Sequence, residues 1–227
     1  MTEAVKRRYD NSRRLAQVRA TRLKVIETAT GLFIDQGYPA TTLEAVAGAA
    51  DVALPTLYRL FGSKRALLKA VLDISFGGDD EPIAFADRPE QQQALAEPDP
   101  LALVRSFARI CRRFMERSAQ MFHILATAAQ VDPEIAGLQD EIRRQRHTGQ
   151  ARIVAAIAAR NALDPSLSLS EAEDITYAAL SPEVHRILTT ERHWTGDQYE
   201  RWLTRALGSL LRPQPIPQPK SPRNSAG

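Results

Sequence analysis

The chain has 227 residues, one cysteine, 44% hydrophobic and 25% charged residues, and no stretch of the roughly 20 apolar residues that a membrane-spanning helix needs. This composition excludes a helical membrane protein and a disulfide-rich secreted domain, and it fits a globular protein in a reducing compartment. The net charge of +3 is unevenly distributed, because the first 75 residues carry twelve Lys and Arg against seven Asp and Glu. Such an asymmetry indicates that the basic part meets a polyanion.

Residues 1–20 are polar and Arg-rich, with little periodicity and without the apolar segment of a secretory signal. We therefore expect a cytoplasmic protein with a flexible basic arm at this end. The arm is either a solvated leader or a segment that follows DNA phosphates, and the two interpretations are compatible if it orders only on DNA. A first helix is predicted from about Arg19 to Gln36, ending at Gly37, because glycine takes a left-handed C-cap position without strain.

The stretch from Thr41 to Lys64 combines two short helices with a tight turn between them. Thr41 and Glu44 have the spacing of a capping box, so the first of these helices is predicted to begin there. The second helix has only one or two turns, and a helix this short needs neighbours to hold it in place. Leu57 and Phe61 share its inner face, which leaves the other face to meet a partner. This layout is typical of a helix-turn-helix reader of the DNA major groove.

Capping residues and prolines predict the remaining elements. Ser63 is expected to cap a third helix that ends near Phe76, and residues 77–99 read as a flexible connection with a short helix at about 90–96. Further on, Asp or Ser before Pro marks helix starts. The predicted helices are Pro100–Arg117, Ala119–Gln130, Pro133–Arg160, Glu171–Leu180, Pro182–Glu191 and Gly196–Leu211.

Capping-box spacing recurs at Ser170 with Glu173 and at Thr195 with Gln198. No segment shows the period-two alternation of a strand, so we predict an all-α protein. The expected domains are a flexible basic N-terminal arm (1–20), a three-helix helix-turn-helix DNA-binding domain (21–75), a larger helical domain (76–211) and a Pro-rich disordered tail (212–227).

A set of residues between about 22 and 73 stands at fixed spacing: Gly37-Tyr38, Thr41-Thr42-Leu43, Ala47, Val52, Thr56-Leu57-Tyr58, Phe61, Ser63-Lys64 and Leu67-Leu68. In order and spacing this set resembles the DNA-binding domain of the tetracycline-repressor (TetR) family of transcriptional regulators. The sequence departs from the family pattern on or beside the base-reading surface. Asp51 replaces the usual turn glycine, Pro55 a common Gly, and Arg59-Leu60 a frequent x-His pair. Ala53 replaces a capping Ser or Thr, a loss of roughly 1 kcal/mol.

The resemblance implies that three residues contact DNA phosphates: Thr42, Tyr58 and Lys64. Such contacts set the register of the protein on the duplex but carry little sequence information. The residues best placed to reach base edges are Ala53, Leu54, Pro55, Thr56 and Arg59. The expected partner is a double-stranded palindromic operator.

The middle helices carry a broad stripe of apolar, aromatic and Met side chains, a pattern that is more often plain core than a pocket. The resemblance implies a small-molecule effector held between these helices, whose binding shifts the DNA-competent population. The candidate pocket residues are Phe107, Cys111, Phe114, Met121, Phe122, Leu125, Ile153 and Ile157.

The last helix carries a wide apolar stripe, for which the plain interpretation is intramolecular core. The resemblance implies that the last two major helices also pack against their copies in a homodimer, which would place two recognition helices in successive major grooves. The residues expected to divide between core and interface are Val184, Ile187, Leu188, Tyr199, Trp202, Leu203, Ala206 and Leu210.

The resulting hypothesis is a ligand-responsive transcriptional regulator, a repressor, without catalytic residues, metal or cofactor. Two alternatives are an enzyme that uses the apolar helical domain as its active site, and a helical module whose basic end meets an acidic protein. The four histidines lack metal-ligand spacing, and His123 is expected to be a core residue. No nucleophile elbow or glycine-rich phosphate loop is present, and Cys111 is expected to be a buried, inert thiol.

Overall fold

The computed structural model describes residues 3–212, with side chains from residue 13 onward. Within this range the protein is all-α, as predicted, and the one β feature is an isolated antiparallel bridge between Leu163 and Leu211. None of the helices described combines the length and apolar composition that crossing a bilayer requires. The Pro-rich tail predicted for 212–227 lies outside the described residues except for Arg212.

The helices in chain order are α1 (Glu3–Ala40), α2 (Leu43–Ala49), α3 (Leu54–Phe61), α4 (Lys64–Gly77), α5 (Pro89–Ala96), α6 (Pro100–Ala129), α7 (Pro133–Ala159), α8 (Leu169–Ala179), α9 (Pro182–Arg186) and α10 (Gly196–Gly208). A 3-10 turn at Phe85–Asp87 precedes α5, and a π-helical segment at Ile187–Glu191 continues α9.

The first helix begins at Glu3 and not near Arg19, so residues expected to form a flexible arm lie in α1. The segment lacks Gly and Pro before Gly31 and is rich in Arg and Ala, which are good helix formers. Arg19 of this helix forms an ion pair with Asp80, which follows α4, at 2.5 Å. At its other end α1 kinks at Gly37, whose φ of 79° is the positive value predicted there.

The second helix is capped one residue later than predicted. Thr42, and not Thr41, is its N-cap, and the Thr42 hydroxyl accepts a hydrogen bond from the Ala45 N–H at 3.1 Å. Thr41 is buried, and its hydroxyl donates to the Gly37 carbonyl at 2.9 Å. The Thr41 hydroxyl therefore bonds to the end of α1, and the next residue, Thr42, caps α2.

The two helices predicted around residue 118 form a single helix, α6. Ser118 is buried there and donates to the Phe114 carbonyl at 2.6 Å, so the hydroxyl is satisfied without interrupting the helix.

The start of α8 also differs from the prediction. A capping box joins Ser168 and Glu171, so the helix begins at Leu169. The predicted caps of α6, α7, α9 and α10 are confirmed: Asp99, Asp132, Ser181 and Thr195.

The buried side chains form two clusters. The first joins α1–α4 to the second half of α6 and the first half of α7, and it includes Phe33, Leu57, Leu125 and Leu138. The second joins the first half of α6 to the second half of α7, α8 and α10. The helix-turn-helix region therefore has no core of its own and shares one with α6 and α7.

Leu57 provides a test of this shared core. Its side chain is 0% exposed, so Leu57→Ala should lower the free energy of unfolding by about 2–5 kcal/mol, measured by urea denaturation followed by circular dichroism. The control is Leu15→Ala on α1, where the side chain is 64% exposed and the change should stay within about 0.5 kcal/mol. Equal effects of the two substitutions would contradict the packing described.

Candidate nucleic-acid interface and ligand cavity

The short helix α3 is held between two residues with positive φ. Asp51, with a φ of 53°, forms the turn that leads into it, and Gly62, with a φ of 77°, ends it. Pro55 lies in the first turn, where a missing N–H costs nothing. Ala53 is the N-cap and makes no side-chain hydrogen bond, so the cap absent from the sequence pattern is also absent from the fold.

The face of α3 opposite Leu57 is open. Ala53, Pro55, Tyr58 and Arg59 are exposed, whereas Leu54 and Thr56 are half-buried. The predicted base-edge residues thus lie together on or beside one outward surface, and no other part of the described chain covers Pro55 or Arg59.

The predicted phosphate contacts differ in their surroundings. Thr42 is exposed, and its hydroxyl accepts a bond from Ala45, so the hydroxyl proton remains available to donate. Lys64 is half-buried, because its Nζ donates to the Pro39 carbonyl at 3.3 Å and lies 4.2 Å from the centroid of the Tyr38 ring. Burial lowers the pKa of Lys64 and raises that of Tyr38 to about 12. Lys64 therefore joins α4 to the end of α1 as well as offering a charge.

A cavity of about 490 Å³ lies between α4, α5, α6, α7 and the segment that precedes α5. This volume is in the range that holds a drug-sized molecule. It is lined by residues of both core clusters, so it lies where the two meet. Four of the predicted pocket residues line it: Phe107, Cys111, Phe114 and Phe122.

The other four predicted pocket residues do not line the cavity. Met121 and Leu125 pack in the first cluster, and Ile153 and Ile157 pack in the second. The lining residues of α6 extend from Phe107 to Phe122, so Leu125 lies beyond the end of the cavity, and Met121 packs into the first cluster without reaching the cavity wall. The predicted apolar stripe therefore divides between the cavity wall and the core.

Two aromatic walls of the cavity were missed in the sequence. Phe76 stands at the end of α4 with its ring 4.7 Å from that of Phe122, and the Phe85 ring lies 4.3 Å from that of Phe114. Phe85 lies in the segment predicted to be a flexible connection, whereas in the structure it belongs to the 3-10 turn that lines the cavity. The signal was the aromatic itself, since a solvated linker has little need of one.

One end of the cavity is polar. Arg146 of α7 is half-buried, with its guanidinium 5.5 Å from the Phe122 ring centroid and 4.9 Å from that of Tyr177. Burial lowers the pKa of Arg146. One turn further along α7, the Gln150 Oε1 is buried without a hydrogen-bond partner.

The residues predicted for a dimer interface fall into two groups. Tyr199, Leu203 and Leu210 are fully buried in the second cluster of the same chain, so they are core and are not available to a partner. Ile187 is exposed. The remaining four are half-buried: Val184, Leu188, Trp202 and Ala206.

The other titratable residues offer no catalytic arrangement within the described residues. His123 is exposed on α6 and is not the core histidine expected. His185 is buried against Tyr199, and burial lowers its pKa. Across the part of the chain with described side chains, no group of three or more His, Cys, Asp or Glu is arranged to hold a metal.

Cys111 is buried in the cavity wall, and burial raises the pKa of its thiol. The neutral thiol should therefore persist through pH 8, where an exposed cysteine already forms thiolate. Native protein should react with Ellman's reagent at least about tenfold more slowly than protein unfolded in urea. The chain has one cysteine, so the signal is unambiguous, and complete reaction of the native protein within minutes would contradict the burial.

Residues 25–71, which span the last part of α1, all of α2 and α3 and the first half of α4, match the bacterial regulatory proteins of the tetR family. No curated protein sequence is significantly similar to the chain.

Three solved structures show the breadth of the structural similarity. NalD, the secondary repressor of the MexAB-OprM multidrug efflux pump in Pseudomonas aeruginosa, is 20% identical with a TM-score of 0.62, covering 87% of this chain and 98% of its own. The SmeT–triclosan complex is 15% identical with a TM-score of 0.66, covering 88% and 100%. A TetR/AcrR-family transcriptional regulator from Aquifex aeolicus VF5 is 15% identical with a TM-score of 0.58, covering 83% and 98%.

At these identities the structural similarity shows the fold, and the sequence match shows the family of the N-terminal region. Residues 25–71 of this chain therefore carry the sequence pattern of the tetR family of bacterial regulatory proteins, and the described chain has the fold of the TetR-family structures that it resembles.

Proposed function

We propose that this chain is a cytoplasmic, ligand-responsive transcriptional repressor that binds a palindromic DNA operator as a homodimer. The observation that carries the proposal is the open face of α3, with Pro55 and Arg59 exposed opposite the buried Leu57. A short helix held from one side, with small, hydroxyl and cationic side chains on the other, fits the major groove. The DNA-reading part corresponds to residues 21–75 and the effector and dimerisation part to 76–211.

The chemistry of the side chains indicates which residues of the interface would contact bases and which would contact phosphates. Arg59 has the geometry to hydrogen-bond a guanine through two N–H groups, and Thr56 and Pro55 offer smaller contacts. Thr42, Tyr58 and Lys64 are assigned to phosphates, where they fix register. The basic helical stretch before residue 20 adds attraction that weakens as salt rises.

A homodimer is supported by the apolar side chains left exposed near the C-terminal end. Leu169 and Ile175 on α8 and Ile187 after α9 are exposed, although each is a large apolar residue. A two-fold dimer would cover such residues and give the protein the symmetry of a palindrome.

The response to an effector is supported by the position of the cavity. Its wall includes Lys69, Asp73, Phe76 and Gly77 of α4, the helix that follows α3 directly. A molecule that binds better to one orientation of α4 would shift the population of DNA-competent dimers. SmeT crystallised as a triclosan complex and NalD is described as a repressor, which favours this proposal over an enzyme or a protein-interaction module.

The direct test is selection of bound duplexes from a random pool, repeated with candidate small molecules. Wild-type protein should enrich a palindrome with half-sites one helical turn or a multiple of it apart. Failure to enrich any sequence over random duplex would remove the proposed function.

Two substitutions separate base reading from phosphate contact. Arg59→Ala should relax the preference at one operator position, with a loss of about 1–3 kcal/mol against the matched base. Lys64→Ala should weaken binding to all sequences about equally. Unchanged preference for Arg59→Ala in the duplex selection would remove Arg59 from the base readers.

The dimer is tested at Ile187, which is 41% exposed. Ile187→Asp should raise the dimer dissociation constant by at least about tenfold in analytical ultracentrifugation, since a buried charge without a partner costs more than 1.4 kcal/mol. Leu101→Asp, at a 37% exposed position on α6, is the matched control and should leave the dimer intact. A wild-type protein that sediments as a monomer, or a dimer insensitive to Ile187→Asp, would contradict the assignment.

A further inference from the structure

The charged residues of the cavity wall differ in whether they have partners. Lys69 and Asp73 pair with each other at 2.9 Å. Glu81 pairs with Arg19 at 3.4 Å, and Arg152 with Asp87 at 2.9 Å. Arg146 forms no ion pair among the described residues. Arg146 is therefore the charged residue of the wall without a directly bonded carboxylate, although the nearby Glu183 favours its charged form.

The surroundings of Arg146 satisfy its charge only in part. The faces of Phe122 and Tyr177 attract the guanidinium through cation–π contacts. A guanidinium has five N–H donors, whereas one hydrogen bond is formed within the described residues, from Nη2 to the Leu180 carbonyl at 3.2 Å. The Nε atom is buried without a partner. A buried N–H donor of a charged group is costly unless something accepts from it.

Gln150 marks the same end of the cavity. It lies four residues after Arg146 on α7, and both residues line the cavity. Its Oε1 is buried and accepts no hydrogen bond. An N–H or O–H group on a bound molecule would satisfy it.

Apart from these charged residues and two further glutamines, Gln91 and Gln145, the cavity wall is apolar and aromatic. Phe76, Phe85, Phe114 and Phe122 form a connected group of rings, with neighbouring centroids 4.3–6.0 Å apart. Such a wall favours flat apolar groups, which stack or meet the rings edge-on.

We infer that the effector is an aromatic acid, whose ring system packs against the phenylalanine wall and whose anionic group accepts hydrogen bonds from Arg146. The inference rests on the proposed function, and it names the chemical class of the molecule that the regulator senses. A carboxylate is planar and matches the guanidinium fork, and the pair would form in a partly dry site where charge-assisted bonds are strong.

The test uses three probes with one ring system: biphenyl-4-carboxylate, 4-biphenylmethanol and 4-biphenylmethylamine. Each is titrated into the full chain without DNA by isothermal calorimetry at pH 7.5. We expect the carboxylate to bind at least about tenfold more tightly than the alcohol, which is roughly 1.4 kcal/mol, and the amine to bind most weakly. Equal affinities, or no binding of the carboxylate, would overturn the inference.

A pair of matched variants locates the charge that is responsible. Arg146→Gln should abolish the preference for the carboxylate and leave the affinity for the alcohol within about twofold, because the apolar wall is unchanged. Arg152→Gln alters another arginine of the same wall, but one that already pairs with Asp87, and should keep the preference. A preference that survives Arg146→Gln would remove this residue from the site.

The outcome does not depend on folding of the variants or on DNA. Should Arg146→Gln fail to fold, as judged by its circular dichroism spectrum, the wild-type comparison of the three probes still decides the inference. Failure to enrich an operator from random duplexes would overturn the proposed function while leaving the calorimetric preference intact. Carboxylate binding without preference, in a protein that selects an operator, would overturn only the inference.

Discussion

The burial of Leu57 determines what this protein can present to another molecule. A helix of eight residues gains too little from its own hydrogen bonds to persist in water. Its position therefore depends on the fully buried Leu57, with Leu54 and Phe61 packed beside it, in a core built from α1, α2 and α4 and closed by α6 and α7. With that side chain inside, the geometry of α3 turns Pro55 and Arg59 outward.

The same core explains why the cavity and the outward face of α3 are parts of one mechanical unit. The cavity touches α4, and α4 begins immediately after α3. Arg65 at the start of α4 also donates to the Glu134 carbonyl at 3.3 Å, which joins this helix to the first turn of α7. A change in the packing of the cavity wall is thus transmitted through contacts between rigid helices, the kind of element that has discrete arrangements.

Much of the fold follows from local sequence signals, namely helix caps and residues that adopt a positive φ. Caps before proline mark the starts of α6, α7 and α9, and Gly37 and Asp51 take positive φ where the pattern demands it. The sequence does not show which of two neighbouring hydroxyl residues caps a helix, because one of the two hydroxyls can instead bond to a different helix. Thr41 is drawn away by the end of α1, and so Thr42 caps α2.

The exposed residues of the site were predictable from helical periodicity. The residues that line the cavity were not, because they depend on which other helices pack nearby. The exposed face of α3 could be read from Leu57 and Phe61. The cavity wall could not, since Met121 and Phe122 are adjacent in sequence and equally apolar but face different neighbours. Arg146 gave no sequence signal, because an arginine on a polar helix is ordinary until its lack of a carboxylate partner becomes visible.

The shared core also has a consequence for how such proteins can be recombined. Phe33 and Leu68 of the N-terminal helices lie in one cluster with Leu125 and Leu138 of α6 and α7. In a chimera that joins this DNA-reading segment to the effector half of a relative, the side chains of the N-terminal helices would face residues of α6 and α7 with which they do not fit. Successful grafts should therefore carry over the facing residues of α6 and α7 along with the first 75 residues, so that the crossover follows the packing and not the linear order of the chain.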